Sequence, residues 1–177
     1  NTRTDAGGAG APIDASGIEN AQLSFDLNVT TAGANGVTGW LLKVESANGD
    51  QFVEVNLNTS LEAVDPTVGE WQTFTFPLSD FANSTLDTSN IQVVMIFPTW
   101  ETGSGAVYQI DNVKIASAEA TQEEPASASA VDIYADAPLT GWVLWDCCGG
   151  TTPAQVAAGD RGNVVEFSIP GNGATVQ

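Results

Sequence analysis

The sequence predicts an all-β fold, an antiparallel β-sandwich of about eight or nine strands. Period-2 hydrophobic runs recur along the chain, Gly, Asn and Pro turn signals separate them, and no stretch shows a capped 3.6-residue period. Leu23, Phe25 and Leu27 alternate with Ser24, Asp26 and Asn28 to give the first clear strand. In the next, Trp40, Leu42 and Val44 share one parity and pack inwards, while Leu41, Lys43 and Glu45 take the other. Val53, Val55 and Leu57 then alternate with Glu54 and Asn56 beyond the turn signal Asn48-Gly49-Asp50. Further turn signals stand at Asn35-Gly36 and Asp65-Pro66. Trp71 opens a strand in which Phe74 and Phe76 alternate with Thr73 and Thr75 and which Pro77 ends; Trp71 is expected to pack structurally. Ile91 to Phe97 is apolar on both parities, the mark of a central strand. Tyr108 and Ile110 share one parity and Val113 and Ile115 the other, so the alternation slips at Asp111-Asn112 and predicts a bulge there. Val165, Phe167 and Ile169 form the last alternating run.

Composition narrows the function. Of 177 residues 42% are hydrophobic, enough to bury a core, while only 15% are charged against roughly 25% in an average domain. Four basic residues face 22 acidic ones, a net charge of −18, which argues against nucleic acid and anionic membrane as partners. No apolar run reaches the ~18 residues needed for membrane insertion. The chain has no histidine, so His-based acid–base catalysis, His-containing triads and most zinc and copper sites are excluded. No P-loop, dinucleotide fingerprint or nucleophile elbow occurs, and no motif flags a facing carboxylate pair. An enzyme is not expected.

The segment 117–131 is rich in Ala, Ser, Glu and Gln with few large apolar residues and reads as a linker. On either side lie stretches that resemble known modules. LSFDLNV, WLLKVES, FVEVNL, GEWQTFTFPLSDF, VVMIFPTW and VYQIDNVKI follow the strand order of galactose-binding-like jelly rolls. These are carbohydrate-binding modules of the type appended to marine bacterial glucanases and agarases. YADAPLTGWVLWDCCGGTTP, with RGNVVEFSI, resembles the opening of such a module, yet here it follows the body. Residues 1–116 therefore look like the back of one module and 132–177 like the front of the next. The two can close one sandwich within a chain, as in a permutant, or across successive copies of a tandem repeat by strand exchange, which is the expected arrangement.

The resemblance implies a structural Ca²⁺ held by Asp111 on the last strand with Asp132 and Asp136 on the first. It also implies a secreted, extracellular protein whose Asn-x-Ser/Thr triplets at Asn28, Asn58 and Asn83 stay bare. Sugars stack on flat aromatic faces while polar neighbours bond their hydroxyls. Trp100, in the loop FPTWETGSG, and Trp145, beside the cysteine pair, are the expected platforms, with Arg3 and Asp5 fixing a hydroxyl pattern. Cys147 and Cys148 are adjacent, with Cα atoms about 3.8 Å apart, below the usual disulfide range. A strained vicinal disulfide is expected; buried thiols or bridges to another copy are the alternatives. The functional expectation is a non-catalytic polysaccharide-binding module, its partner a β-glucan or a galactan-like chain. The competing expectation is a structural repeat of an extracellular filament or adhesin whose partners are neighbouring copies of itself.

Overall fold

A computed structural model describes residues 2–4, 11–34, 36–37, 39–99, 102–118, 130–145 and 153–170. The fold is all-β, two antiparallel sheets packed face to face. The described residues form twelve strands rather than the eight or nine expected: β1 (Thr2–Thr4), β2 (Ala21–Thr31), β3 (Trp40–Ser46), β4 (Gln51–Asn56), β5 (Trp71–Pro77), β6 (Ile91–Pro98), β7 (Val107–Ser117), β8 (Ala130–Ala135), β9 (Ala137–Pro138), β10 (Trp142–Leu144), β11 (Ala154–Ala157) and β12 (Asn163–Ser168). The surplus comes from β1, β9 and β11, each two to four residues long and too short to show a clear period.

One sheet has the order β10-β1-β6-β3-β4. The apolar run 91–97 is indeed internal to it, with β1 on one side and β3 on the other. The other sheet runs β11-β12-β7-β2-β5, with β8 also paired to β7. Period-2 alternation sends Leu23, Phe25, Leu27 and Val29 of β2 into the core between the sheets, where Phe74 and Phe76 of β5 meet Phe25 at ring-centroid distances of 5.7 and 6.2 Å. Trp40 packs as expected: it is fully buried and meets Tyr108 edge-on at 4.9 Å. Each such fully buried large side chain contributes about 1.5–3 kcal/mol of transfer free energy.

Strands from both ends of the chain complete this one core. β10 pairs with β1, while β8 and β12 pair with β7, all within one chain. Tyr108 of β7 stacks on Phe167 of β12 at 5.0 Å, so the core is continuous across the join. The segment 117–131 joins two strands that pair with each other, Ala116 lying opposite Ala130.

The free edge of β7 is shared. β12 covers Val107 to Ile110 and β8 covers Val113 to Ala116, leaving Asp111 and Asn112 between them. The expected bulge lies there. The pairing with β2 shifts register between Ser24 and Asp26, and Asn112 takes a positive φ of 49°. Alternation with Tyr108 and Ile110 puts Asp111 on the outer face of the sheet, and the extra residue resets the parity so that Val113 and Ile115 also point into the core.

Candidate functional site

Antiparallel register places polar residues in rows across the outer face of the β2–β5–β7 sheet. Asn28 lies opposite both Trp71 and Gln109, and Gln109 lies opposite Glu166, to which its Nε2 donates at 2.9 Å. One row over, Asp26 lies opposite Thr73 and Asp111. Beyond it, Ser24 lies opposite Thr75 and Lys114, and Lys114 opposite Asp132. Thr75 donates from its N–H and Oγ1 to the Glu62 carboxylate, both at 2.8 Å, which ties the rim of the face to the β4–β5 connection. A groove of about 320 Å³ opens on this face, lined by Ser24, Asp26, Thr73, Thr75, Asn112 and Lys114 among others. That is the lower end of the range for ligand clefts.

Asp26 and Asp111 are like charges directly across a ladder, a destabilising arrangement unless a cation intervenes. Arg161 intervenes. Its Nη1 donates to Asp26 Oδ2 at 2.8 Å and to Asp111 Oδ2 at 3.4 Å, and the guanidinium carbon lies 4.2 Å from the Trp71 ring centroid. Arg161 reaches this point from the turn between β11 and β12, where Gly159 and Gly162 have φ of 61° and 74°. Gly162 is required: beyond its backbone conformation, any side chain there would run into the Asp136 carboxylate. Asp136 Oδ1 accepts from Asn163 N at 2.7 Å, and the Tyr134 hydroxyl donates to the Asn163 carbonyl at 3.0 Å. Gln155 Nε2 donates to the Asp136 carbonyl at 2.9 Å and to the Tyr134 hydroxyl at 3.2 Å. Burial raises the Tyr134 pKa and keeps it neutral. Asp136 thus holds the turn that delivers Arg161.

The two carboxylates respond to Arg161 differently. Burial works to raise the Asp26 pKa, but hydrogen bonds from Thr73, Arg161 and Asn112 outweigh it and hold the group below the ordinary range. Asp111 is only 3% exposed, and burial dominates there. It lifts the Asp111 pKa despite the Asn112 N–H and the longer contact to Arg161. Arg161 itself is held more firmly protonated, first by its hydrogen bond to Asp26.

The residues singled out in the sequence fall differently. Asp111 lies on this face, but its free oxygen is turned to Arg161 rather than to Asp132 and Asp136. Asp132 is an exposed residue opposite Lys114, and Asp136 clamps the Arg161 turn. Among the described residues no group of three Asp, Glu, His or Cys side chains that could hold a metal ion is found. Trp145 is half-buried on the opposite side of the molecule, packed with Val93, Met95, Phe97 and Leu41 on the outer face of the other sheet. The Arg3 backbone pairs with Val93 and Val143 in that same sheet. Asp5, Trp100, Cys147 and Cys148 lie outside the described residues.

Trp71 differs from expectation. It opens β5 as read, yet its side chain is only half-buried and carries Arg161 on the outer face. Arg161 itself gave one signal in the sequence, as a scarce cation between two turn glycines in GDRGN.

Comparison with protein-family profiles, with curated proteins and with solved structures finds no match to this chain.

Proposed function

We propose that the protein is a non-catalytic polysaccharide-binding module of a secreted protein, and that its ligand lies along the outer face of the β2–β5–β7 sheet. The observation that carries this reading is the 320 Å³ groove lined by hydroxyl, carboxylate, amide and ammonium groups next to the Arg161–Trp71 stack. Hydroxyl-rich ligands need just such closely spaced donors and acceptors, and a sheet face presents them at fixed intervals along a linear chain. Native affinity electrophoresis against neutral β-glucans and agars tests it. The wild type should be retarded by at least one of them, and Trp145→Ala should be retarded equally. If no glycan in the panel slows the protein, the reading fails.

A second reading rests on another observation: every strand after the linker completes the sandwich on β7 or β1, directly or through a neighbouring strand. A neighbouring copy could supply those same strands in a filament or adhesin. Light scattering after size exclusion separates the two. The mass of one chain favours the closed module, and multiples that persist on dilution favour exchange.

A further inference from the structure

Arg161 spends one of its three nitrogens on the protein. Both ion pairs, to Asp26 and to Asp111, run through Nη1. Among the described residues Nε and Nη2 donate to nothing, although the side chain is only 32% exposed. The Nε–Nη2 edge is a planar fork of two parallel N–H groups, the geometry that binds a pair of adjacent acceptors. Its position is fixed on three sides: two carboxylates hold Nη1, the Trp71 ring backs the guanidinium, and Gly162 with Asp136 sets the turn beneath it. A fork held in place loses little entropy when it binds. Since the guanidinium covers a face of the indole, Trp71 serves to position Arg161, and that face is not free to stack on a sugar.

We propose that Arg161 is the residue that reads the ligand on this face, its Nε–Nη2 edge donating to two neighbouring hydroxyl oxygens of an uncharged sugar. This rests on the polysaccharide-binding reading and specifies its ligand class. A carboxylate or sulfate ester would fit the same fork by shape, and charge decides against it. Asp26 and Asp111 together outweigh Arg161, leaving the trio at −1. Glu166 stands in the adjacent row, and the whole chain carries −18. An acidic glycan would approach against that field, while a neutral one pays no such penalty.

The test measures affinity of the intact chain for neutral polysaccharides (a β-glucan and agarose) and for acidic ones (alginate and polygalacturonate). Arg161→Lys keeps the charge and the stacked cation but removes the fork. It should melt within a few degrees of wild type and bind the neutral chain at least tenfold more weakly. Trp71→Phe, which restores a ring under the guanidinium, should bind better than Trp71→Ala. A measurement on the unaltered protein stands beside these in case a variant does not fold. The neutral polysaccharide should slow phenylglyoxal modification at Arg161, read by peptide mass spectrometry, without slowing it at Arg3. Wild-type affinity in a folded Arg161→Lys, or no protection of Arg161 by a polysaccharide that binds, overturns the proposal. Tighter binding of the acidic chains overturns the ligand class while leaving the module a glycan binder. Failure of the wild type to bind any of the four removes the binding reading itself, and this proposal with it.

Discussion

The two outer faces of the sandwich are built from strands of the same period and have opposite characters. On the β3–β6 sheet the outward residues of β6, Val93, Met95 and Phe97, are themselves buried, with Leu41 and Trp145 packed against them and the Lys43–Glu45 ion pair of β3 alongside. On the β2–β5–β7 sheet the outward residues are Asp26, Asn28, Thr73, Gln109, Asp111 and Lys114, and the tryptophan among them carries a cation. An aromatic side chain therefore means different things on the two sides. Trp145 belongs to a second small hydrophobic cluster, whereas Trp71 supports a charged group beside a groove. Polarity of the cross-strand neighbours, more than loop position, separates a packing tryptophan from one at a site.

The largest expected effect lies on the apolar face. Met95→Ala should cost about 2–3 kcal/mol in chemical denaturation, since Met95 is 2% exposed, and should leave glycan affinity unchanged. A cost under 1 kcal/mol would mean that this face is not a packed layer.

The polar face divides into two carboxylates with opposite pH behaviour. Asp26 has a lowered folded pKa, so its contribution is present above the unfolded Asp value and is lost as pH falls through the folded one. Asp26→Asn should therefore destabilise by about 2 kcal/mol at pH 7, the scale of charge-assisted hydrogen bonds, and the gap to wild type should close on acidification. Asp111 has a raised folded pKa, so ionising it works against folding as pH rises through the ordinary carboxylate range. Asp111→Asn should be equal to wild type or up to about 1 kcal/mol more stable at pH 7, with the difference again shrinking in acid. Melts from pH 3 to 8 on both variants check the signs. Parallel losses in the two would show that Arg161 holds both acids alike.

Trp71→Ala should cost only about 0.5–1 kcal/mol in stability, the worth of a partly exposed cation–π contact, while weakening glycan binding severalfold. Smallest of all is the response to calcium. With Asp111 turned to Arg161, adding excess Ca²⁺ after EDTA should leave the midpoint unmoved; a clear rise would show an ion bound to the folded chain.

Much of the fold was legible because burial writes a period of two. Leu23 to Val29 and Val53 to Leu57 announce their strands, and the slip at Asp111-Asn112 announces the bulge beyond which Val113 and Ile115 point inwards again. The site was less legible because it is assembled from rows of different strands. Asp26 and Asp111 become neighbours only through register, and Arg161 reaches them from a turn 50 residues beyond Asp111. Local pattern carries no information on which strands adjoin. The resemblance, which grouped Asp111 with Asp132 and Asp136, carries no information on the turn that brings Arg161 to Asp111 and over Trp71.

The shared edge of β7 also sets an order of events during synthesis. A ribosome delivers β2 to β7 well before β12, whose Glu166 lies 57 positions beyond its partner Gln109. In that interval β8 can cover only Val113 to Ala116, so β7 keeps an unpaired ladder over Val107 to Ile110, open to any passing strand. Pairings of such separation form slowly, since the intervening chain must close first. A nascent chain stalled before residue 160 would thus display Val107 to Ile110 of β7 as an adhesive edge, with Asp26 and Asp111 side by side and no cation between them. Their mutual repulsion would blunt one end of that edge until the last hairpin arrives with Arg161.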